Sequence, residues 1–247
     1  MNKYEINEPY KDVFLDFLAN IRDIFTKSET SLHKARNELK IVPYSKYTTV
    51  VKSFKIPNII NKIVYTFFRD SKAKKSYTHS IKLKEFTPMP IGYIEFFKLG
   101  LLNESYFVSE NFNYDFTIRE PLLDENFSSR EAVFRAFARF TLELHNENIF
   151  HNDYSPGNIL IKQEGEDYIF KVVDINRMKF FALSEDDRAK NFSKLWADDE
   201  ILVLIADEYK KHCVCSEDFT KQVLYYSNKN KKIKNFKKRL KGQEVND

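Results

Sequence analysis

The side chains of this chain that could do chemistry are concentrated in residues 149–176, where His151, Asp153, Asn158 and Asp174 fall within one short span. His151 stands two before Asp153, and Asn158 five after it. Asp174 follows two apolar runs that flank the polar turn Gln163-Glu164-Gly165-Glu166-Asp167. A carboxylate beside a hydroxyl can take or orient its proton. An amide oxygen and a second carboxylate can hold a hard divalent cation on phosphate oxygens. Together these are the groups that phosphoryl transfer needs. The runs 158–162 and 168–173 around a polar turn predict a hairpin that returns Asp174 toward Asn158. The same four residues also fit an ordinary loop with a buried His–Asp contact. The hairpin, the aspartate at its exit and a helix start ahead of the loop favour the chemical reading.

The pattern His-x-Asp-x-x-x-x-Asn, followed by a hairpin and an aspartate, resembles the catalytic and metal-binding segment of the protein-kinase fold. A helix must deliver the chain to His151. Ser128 and Glu131 have the spacing of a capping box, and Val133, Phe137, Phe140 and Leu144 follow along one helix face. Upstream, residues 32–36, 38–43 and 48–54 read as short strands, the last with Lys52 inside a β-branched run. A kinase keeps such a lysine on its third strand to hold nucleotide phosphates. Residues 91–99 and 105–110 read as two more strands. Glu110-Asn111-Phe112 then stands where a hinge would bind adenine by its backbone.

Two parts of that pattern are missing. No Gly-x-Gly-x-x-Gly loop precedes Lys52, so Lys34 or Arg36 would meet phosphate by side chain instead of by backbone amides. The helix expected over 71–86 carries Lys75-Ser76-Tyr77-Thr78-His79-Ser80 where a kinase offers a glutamate to the strand lysine. After Asp174 come Ile175-Asn176, and Asn176 is the residue able to take the left-handed turn that glycine would supply.

The remaining chain supplies a frame and several basic surfaces. Asn7 and Pro9 predict the start of one amphipathic helix running to Phe25. Residues 56–68 form a broad apolar helical stripe flanked by Lys55, Lys62, Arg69, Lys72, Lys74 and Lys75. That stripe suits either a packed helix or an anionic membrane surface. A helix is expected over 194–210. The segment 228–241 carries eight Lys or Arg and no acid, with Ile233, Phe236 and Leu240 at helical spacing.

Composition sets the outer bounds. The 247 residues can bury a core of one domain or two lobes, and net charge is only +4. No apolar run reaches membrane-spanning length, and the first ten residues lack a secretory pattern, so the expectation is a cytoplasmic protein. Cys213 and Cys215, beside His212, fall short of a four-ligand zinc set and are expected as reduced thiols.

The chain is similar to one branch of that fold, the lipopolysaccharide core-sugar kinases of the Kdo and heptose kinase family. The resemblance rests on Val50-Val51-Lys52-Ser53-Phe54, 71–77, Phe150-His151-Asn152-Asp153-Tyr154-Ser155-Pro156-Gly157-Asn158-Ile159-Leu160 and Val173-Asp174-Ile175-Asn176-Arg177. It implies an α+β, two-lobed protein-kinase-like fold: a small antiparallel-sheet N-lobe over 1–112, a mostly helical C-lobe over 113–227 and a basic tail over 228–247. It implies ATP and Mg2+ as cofactors, Asp153 as the catalytic carboxylate and His151 as its brace. Asn158 and Asp174 would be metal ligands, and Lys52, Lys34, Arg36, Glu110 and Phe112 nucleotide contacts. The implied acceptor is a lipid-linked core oligosaccharide. The implied location is the cytoplasmic face of a Gram-negative inner membrane, met through residues 55–75 and 229–241, with no nucleic-acid partner. A protein Ser/Thr/Tyr kinase and a non-catalytic kinase-like binding module are the alternatives.

Overall fold

The computed structural model describes residues 2–34, 37–240 and 242, with backbone only at 32–34. The chain forms two compact units, Met1–Asn113 with Asp174–Asn176, and Tyr114–Val173 with Arg177–Asp247.

The first unit is built on an antiparallel sheet. In chain order it holds β1 (Lys3–Ile6), α1 (Lys11–Ala19), α2 (Ile21–Lys27), β2 (Ser31–Lys34), β3 (Glu38–Tyr44), β4 (Tyr47–Phe54), α3 (Ile59–Phe67), α4 (Lys72–Leu83), β5 (Pro90–Lys98) and β6 (Leu101–Glu110). The six strands lie in the order β1-β5-β6-β4-β3-β2. Strand β1 is not foreseen in the sequence; it adds to the edge of β5, where Ile6 faces Gly92. A Cβ at Gly92 would stand 2.6 Å from the Glu5 carbonyl oxygen, so only glycine lets the two backbones approach.

Alternation along the strands sorts side chains between two layers. Val51, Ile94, Phe96 and Val108 face one side and bury Phe14, Phe17, Leu18 and Ile21 of α1 and α2. Each such burial is worth about 1.5–3 kcal/mol. Phe54, Tyr93 and Phe107 face the other side and bury Ala73 and Tyr77 of α4. The single N-terminal helix expected from the sequence is two, broken at Asn20, whose side chain turns back to donate to the Asp16 carbonyl. Helix α4 starts where Ser71 accepts from the Lys74 amide.

The second unit is mostly helical. It holds β7 (Phe116–Thr117), α5 (Arg119–Leu123), α6 (Arg130–Asn146), β8 (Ile149–Phe150), β9 (Ile159–Glu164), β10 (Asp167–Val172), β11 (Lys179–Phe180), α7 (Glu185–Asn191), α8 (Asp199–Lys211) and α9 (Phe219–Arg239). The hairpin β9–β10 forms as its alternation dictates, and β7 extends it. The capping box expected at Ser128 does not form. Ser129 stands at the N-cap in a left-handed conformation with no side-chain bond, and Glu131 is drawn instead to Arg135 one turn on, at 2.5 Å. Helix α8 begins at Asp199 rather than 194, because Trp196 takes a positive φ of 59° that no helix continues through. Helix α9 runs through residue 228, tied by Asn230 to the Ser193 carbonyl and by Lys231 to the Ala197 carbonyl, both at 2.8 Å. Cys213 and Cys215 form a disulfide where the sequence suggests reduced thiols; the bend after α8 brings their Cα atoms to 5.7 Å, within bridging reach. No described helix is long and apolar enough to cross a membrane.

Candidate active site

The loop between β8 and β9 is built from inside. The His151 Nδ1 accepts from the Asp153 amide at 3.1 Å, so the proton sits on Nε2, which donates to the Val173 carbonyl at 3.0 Å. The imidazole thereby ties the loop to the last residue before Asp174 and has no nitrogen left for proton transfer. Asn158 closes the other end. Its Nδ2 donates to the Asp153 carbonyl at 2.8 Å and to the Ser155 hydroxyl at 3.1 Å. Both amide hydrogens are committed to the loop, so Oδ1 is the atom with which Asn158 would meet a cation. The Val173 amide donates to the Asn158 carbonyl at 3.0 Å, which fixes the hairpin exit on the loop. Tyr154 is fully buried, with its hydroxyl 2.9 Å from Thr141 of α6 and its ring tilted on Phe137. Burial pushes that phenol far above its usual range.

A buried polar relay holds this loop from behind, and sequence reasoning missed it. Arg188 donates to the Tyr209 hydroxyl at 3.0 Å, and that hydroxyl lies 2.9 Å from His145 Nδ1. The other nitrogen, Nε2, meets Asn191 Oδ1 at 3.1 Å. Asn191 Nδ2 in turn donates to the His151 carbonyl at 3.0 Å, while its oxygen also accepts from the His151 amide at 3.4 Å. Burial lowers the His145 pKa to about 3, with Asn191 opposing and Arg188 reinforcing the shift. The ring is therefore neutral at ordinary pH. The only sequence signal for Asn191 is an amide next to Phe192 at the end of an otherwise charged helix.

Cations crowd the open side of the loop. Lys194 donates to the Asn152 carbonyl, next to Asp153. Lys234 of α9 lies over the Trp196 ring at 4.6 Å. Burial, then Lys194, push its ammonium below the usual range while Asp153 pulls it up. A cavity of about 180 Å³ opens beside the loop, lined by His151, Asn152, Lys179, Lys190 and Lys194, with Asp187 as its one carboxylate. Arg177 meets Asn152 through its carbonyl, at 2.6 Å.

In the first unit, Lys52 of β4 donates to Asp174 Oδ1 at 2.6 Å. Asn176 donates to the same oxygen at 2.9 Å. The absent helix glutamate is thus answered by Asp174 itself. Helix α4 uses His79 differently: its Nδ1 donates to the Ile175 carbonyl at 2.8 Å. Burial lowers the His79 pKa, with the bond to the Ile175 carbonyl opposing it. The left-handed residue is Asp174, with φ of 56°, and not Asn176, which lies in a short 3-10 turn over Ile175–Arg177. Two donors on one carboxylate oxygen hold Asp174 there against a strain of about 1–2 kcal/mol.

At the end of β6, Glu110 accepts from the Tyr10 hydroxyl at 2.8 Å, and its amide donates to Met89. Burial, then Glu110, push the Tyr10 phenol well above its usual range. Phe112 is half-buried two residues on. Arg36 lies outside the described residues, and only the backbone of Lys34, in β2, is described. Among the described residues no cluster of three His, Cys, Asp or Glu could hold a metal alone. Asn158 Oδ1 in the second unit and the Asp174 carboxylate in the first are each hard oxygen donors of the kind Mg2+ takes beside waters and phosphate oxygens.

No protein-family model and no curated protein matches the chain. Among solved structures it is similar to WaaP in complex with acyl carrier protein, with 13% identity over 94% of this chain and 99% of that one, at a TM-score of 0.61. At that identity the likeness establishes the fold alone, an α+β kinase-like architecture with an antiparallel N-terminal sheet and a mostly helical remainder. Matches to 1373 chains of solved structures mean that this fold by itself selects no substrate.

Proposed function

We propose that the chain is an ATP-dependent kinase that phosphorylates a sugar hydroxyl, of Kdo or heptose, in the inner core of lipopolysaccharide. The observation that carries the reading is the loop 151–158, whose Asp153 and Asn158 are fixed to one another through the Asn158 amide and braced by a histidine with no proton-transfer role. ATP with magnesium supplies the phosphoryl group and the charge that offsets its oxygens. Asp153 orients the sugar hydroxyl and receives its proton. Asn158 Oδ1 and the Asp174 carboxylate would hold magnesium. Lys52 grips the nucleotide phosphates, with Lys34 or Arg36 in place of glycine-loop amides, and the backbone around Glu110 and Phe112 meets adenine. Lys179, Lys190 and Lys194 beside the loop favour an acceptor that carries a carboxylate or phosphate next to the reacting hydroxyl.

The basic stretches 55–75 and 229–241 suit a lipid-linked acceptor on an anionic inner-membrane surface. WaaP was solved with acyl carrier protein, and such a carrier protein is a candidate partner here, tested by copurification. A protein kinase is the weaker reading, because only residues 178–184 separate the turn after Asp174 from α7, too few for a peptide-docking activation segment. A binding module without catalysis leaves the Lys52–Asp174 pair and the ordered loop without a purpose.

The test is mass spectrometry of lipid A bearing one Kdo after incubation with the protein and ATP-Mg, with Asp153→Ala as control. A gain of one phosphate, absent in the control, is the expected result. ATP binding without transfer to Kdo or heptose acceptors would remove the substrate assignment, and no ATP binding would remove the kinase reading.

A further inference from the structure

Helix α3 is mounted upside down for a globular protein. It is fastened to β6 by its polar edge: Lys62 donates to Asn103 Oδ1 at 2.9 Å, and Thr66 Oγ1 accepts from the Leu102 amide at 2.9 Å. Lys62 and Thr66 are four apart and so share one face. Ile59, Ile60, Ile63 and Phe67 lie together on a neighbouring face about a quarter turn away, while Val64 and Tyr65 are half-buried, and none of the nine residues of the helix is buried. Ile60 is 69% exposed and Phe67 67%, and Phe68 at the helix end is 76% exposed. A helix that turns its apolar stripe outward while hydrogen-bonding inward is not contributing that stripe to a core. Its surroundings identify what covers it. From Phe54 to Arg69 the chain contains Lys55, Lys62 and Arg69 and no acid, and Asp70 just beyond is paired with Lys74 at 2.8 Å. Exposed Lys55 before the helix and exposed Arg69 after it bracket the apolar ridge in the chain, so positive charge flanks it on both sides.

We propose that α3 is a membrane-surface anchor that lies in the plane of an anionic bilayer with Ile59, Ile60, Ile63, Phe67 and Phe68 among the acyl chains and Lys55 and Arg69 on the headgroups. A ridge of bulky aliphatic and aromatic side chains with cations at its ends is the pattern of an interfacial helix. A protein partner would need a groove for this convex surface and acids to meet its cations. The inference rests on and deepens the membrane-surface part of the proposed function, but its test can fail separately from phosphotransfer, because vesicle binding requires no nucleotide or acceptor.

The experiment is co-sedimentation of the full chain with vesicles of phosphatidylglycerol and phosphatidylethanolamine. Binding is expected, with phosphatidylcholine vesicles bound more weakly. The double substitution Ile60→Glu, Phe67→Glu should lower the partition coefficient by about tenfold or more, since charge replaces the inserted side chains. Both side chains are exposed, so its melting temperature should match the parent's. A second measurement keeps the ridge apolar: with Trp196→Phe, a tryptophan substituted at Phe67 should shift its emission to the blue and be quenched by brominated acyl chains. Undiminished binding by the glutamate variant, or an unquenched tryptophan on bound protein, would overturn the proposal. So would light scattering that shows a dimer which the glutamate substitutions dissociate, because the ridge would then be covered by a second copy.

Discussion

Acid should weaken this protein through one buried histidine. His145 is fully buried and titrates near pH 3 when folded, against 6.5 when unfolded, chiefly because burial disfavours the imidazolium. A folded pKa below the unfolded one gives stability that is complete above pH 6.5 and is lost as the pH falls toward 3. At pH 5 the unfolded chain is protonated at this site about thirtyfold over neutral while the folded chain is not, so the loss between pH 7 and pH 5 is about 2 kcal/mol. The local geometry explains why the folded state refuses the proton. Nδ1 already faces the Tyr209 hydroxyl, and Arg188 donates to that hydroxyl from the other side. Urea unfolding at pH 7, 6 and 5, for the parent and His145→Gln, isolates the effect, because the other titrating groups are common to both chains. The variant should be less stable at pH 7 and should have a pH slope flatter by about 2 kcal/mol over this range. Equal slopes, or a His145 ring-proton titration by NMR with a midpoint near 6.5, would refute the reasoning.

Three further outcomes follow from the structure. Asp153→Ala should reduce phosphoryl transfer by about 10³-fold or more while leaving ATP-Mg affinity within a few-fold, read by mass spectrometry and calorimetry. Glu208→Gln should destabilise the second unit by about 2 kcal/mol in urea titrations at pH 7. The Glu208 carboxylate is buried, which opposes ionisation, but Lys211, His212, Arg135 and Arg139 together lower its pKa to about 2. Its contribution is therefore full above pH 4.5 and disappears as the pH falls toward 2. Gly92→Val should detach β1 from β5 and cost about 1–3 kcal/mol, seen as early hydrogen exchange at residues 3–6, because the added Cβ collides with the Glu5 carbonyl.

The strands of the first unit were legible because β-branched and aromatic runs leave little choice: 48–54 and 105–110 lie within β4 and β6. The residues of the loop 151–158 stand out for a different reason, since the phosphotransfer proposed for them would fix their types and spacing whatever surrounds them. What the sequence hides is everything that depends on distant partners. Asn191, His145 and Tyr209 lie far apart in the chain and become one relay only after α6, α7 and α8 pack. Ser128 and Glu131 have the letters of a cap, but Arg135 takes the glutamate first. The apolar stripe of 56–68 was correctly helical, yet periodicity cannot say which face of a helix turns inward; hydrogen bonds from Lys62 and Thr66 decide that. Likewise, the expected left-handed turn exists but sits on Asp174, because Lys52 and Asn176 hold its carboxylate.

The short connection after Asp174 has a consequence for control. β11 pairs with β8 immediately before the loop 151–158, with Lys179 opposite Phe150, and the Phe181 amide donates to the Asn148 carbonyl. Kinases that are switched by phosphorylation depend on a long segment at this place that orders and disorders. Here the segment is stitched to the strand that positions the loop, so displacing it would dismantle the loop as well. On the kinase reading proposed above, a movement of residues 178–184 and a movement of the loop 151–158 are one event, so control exerted on this segment would act on the loop directly.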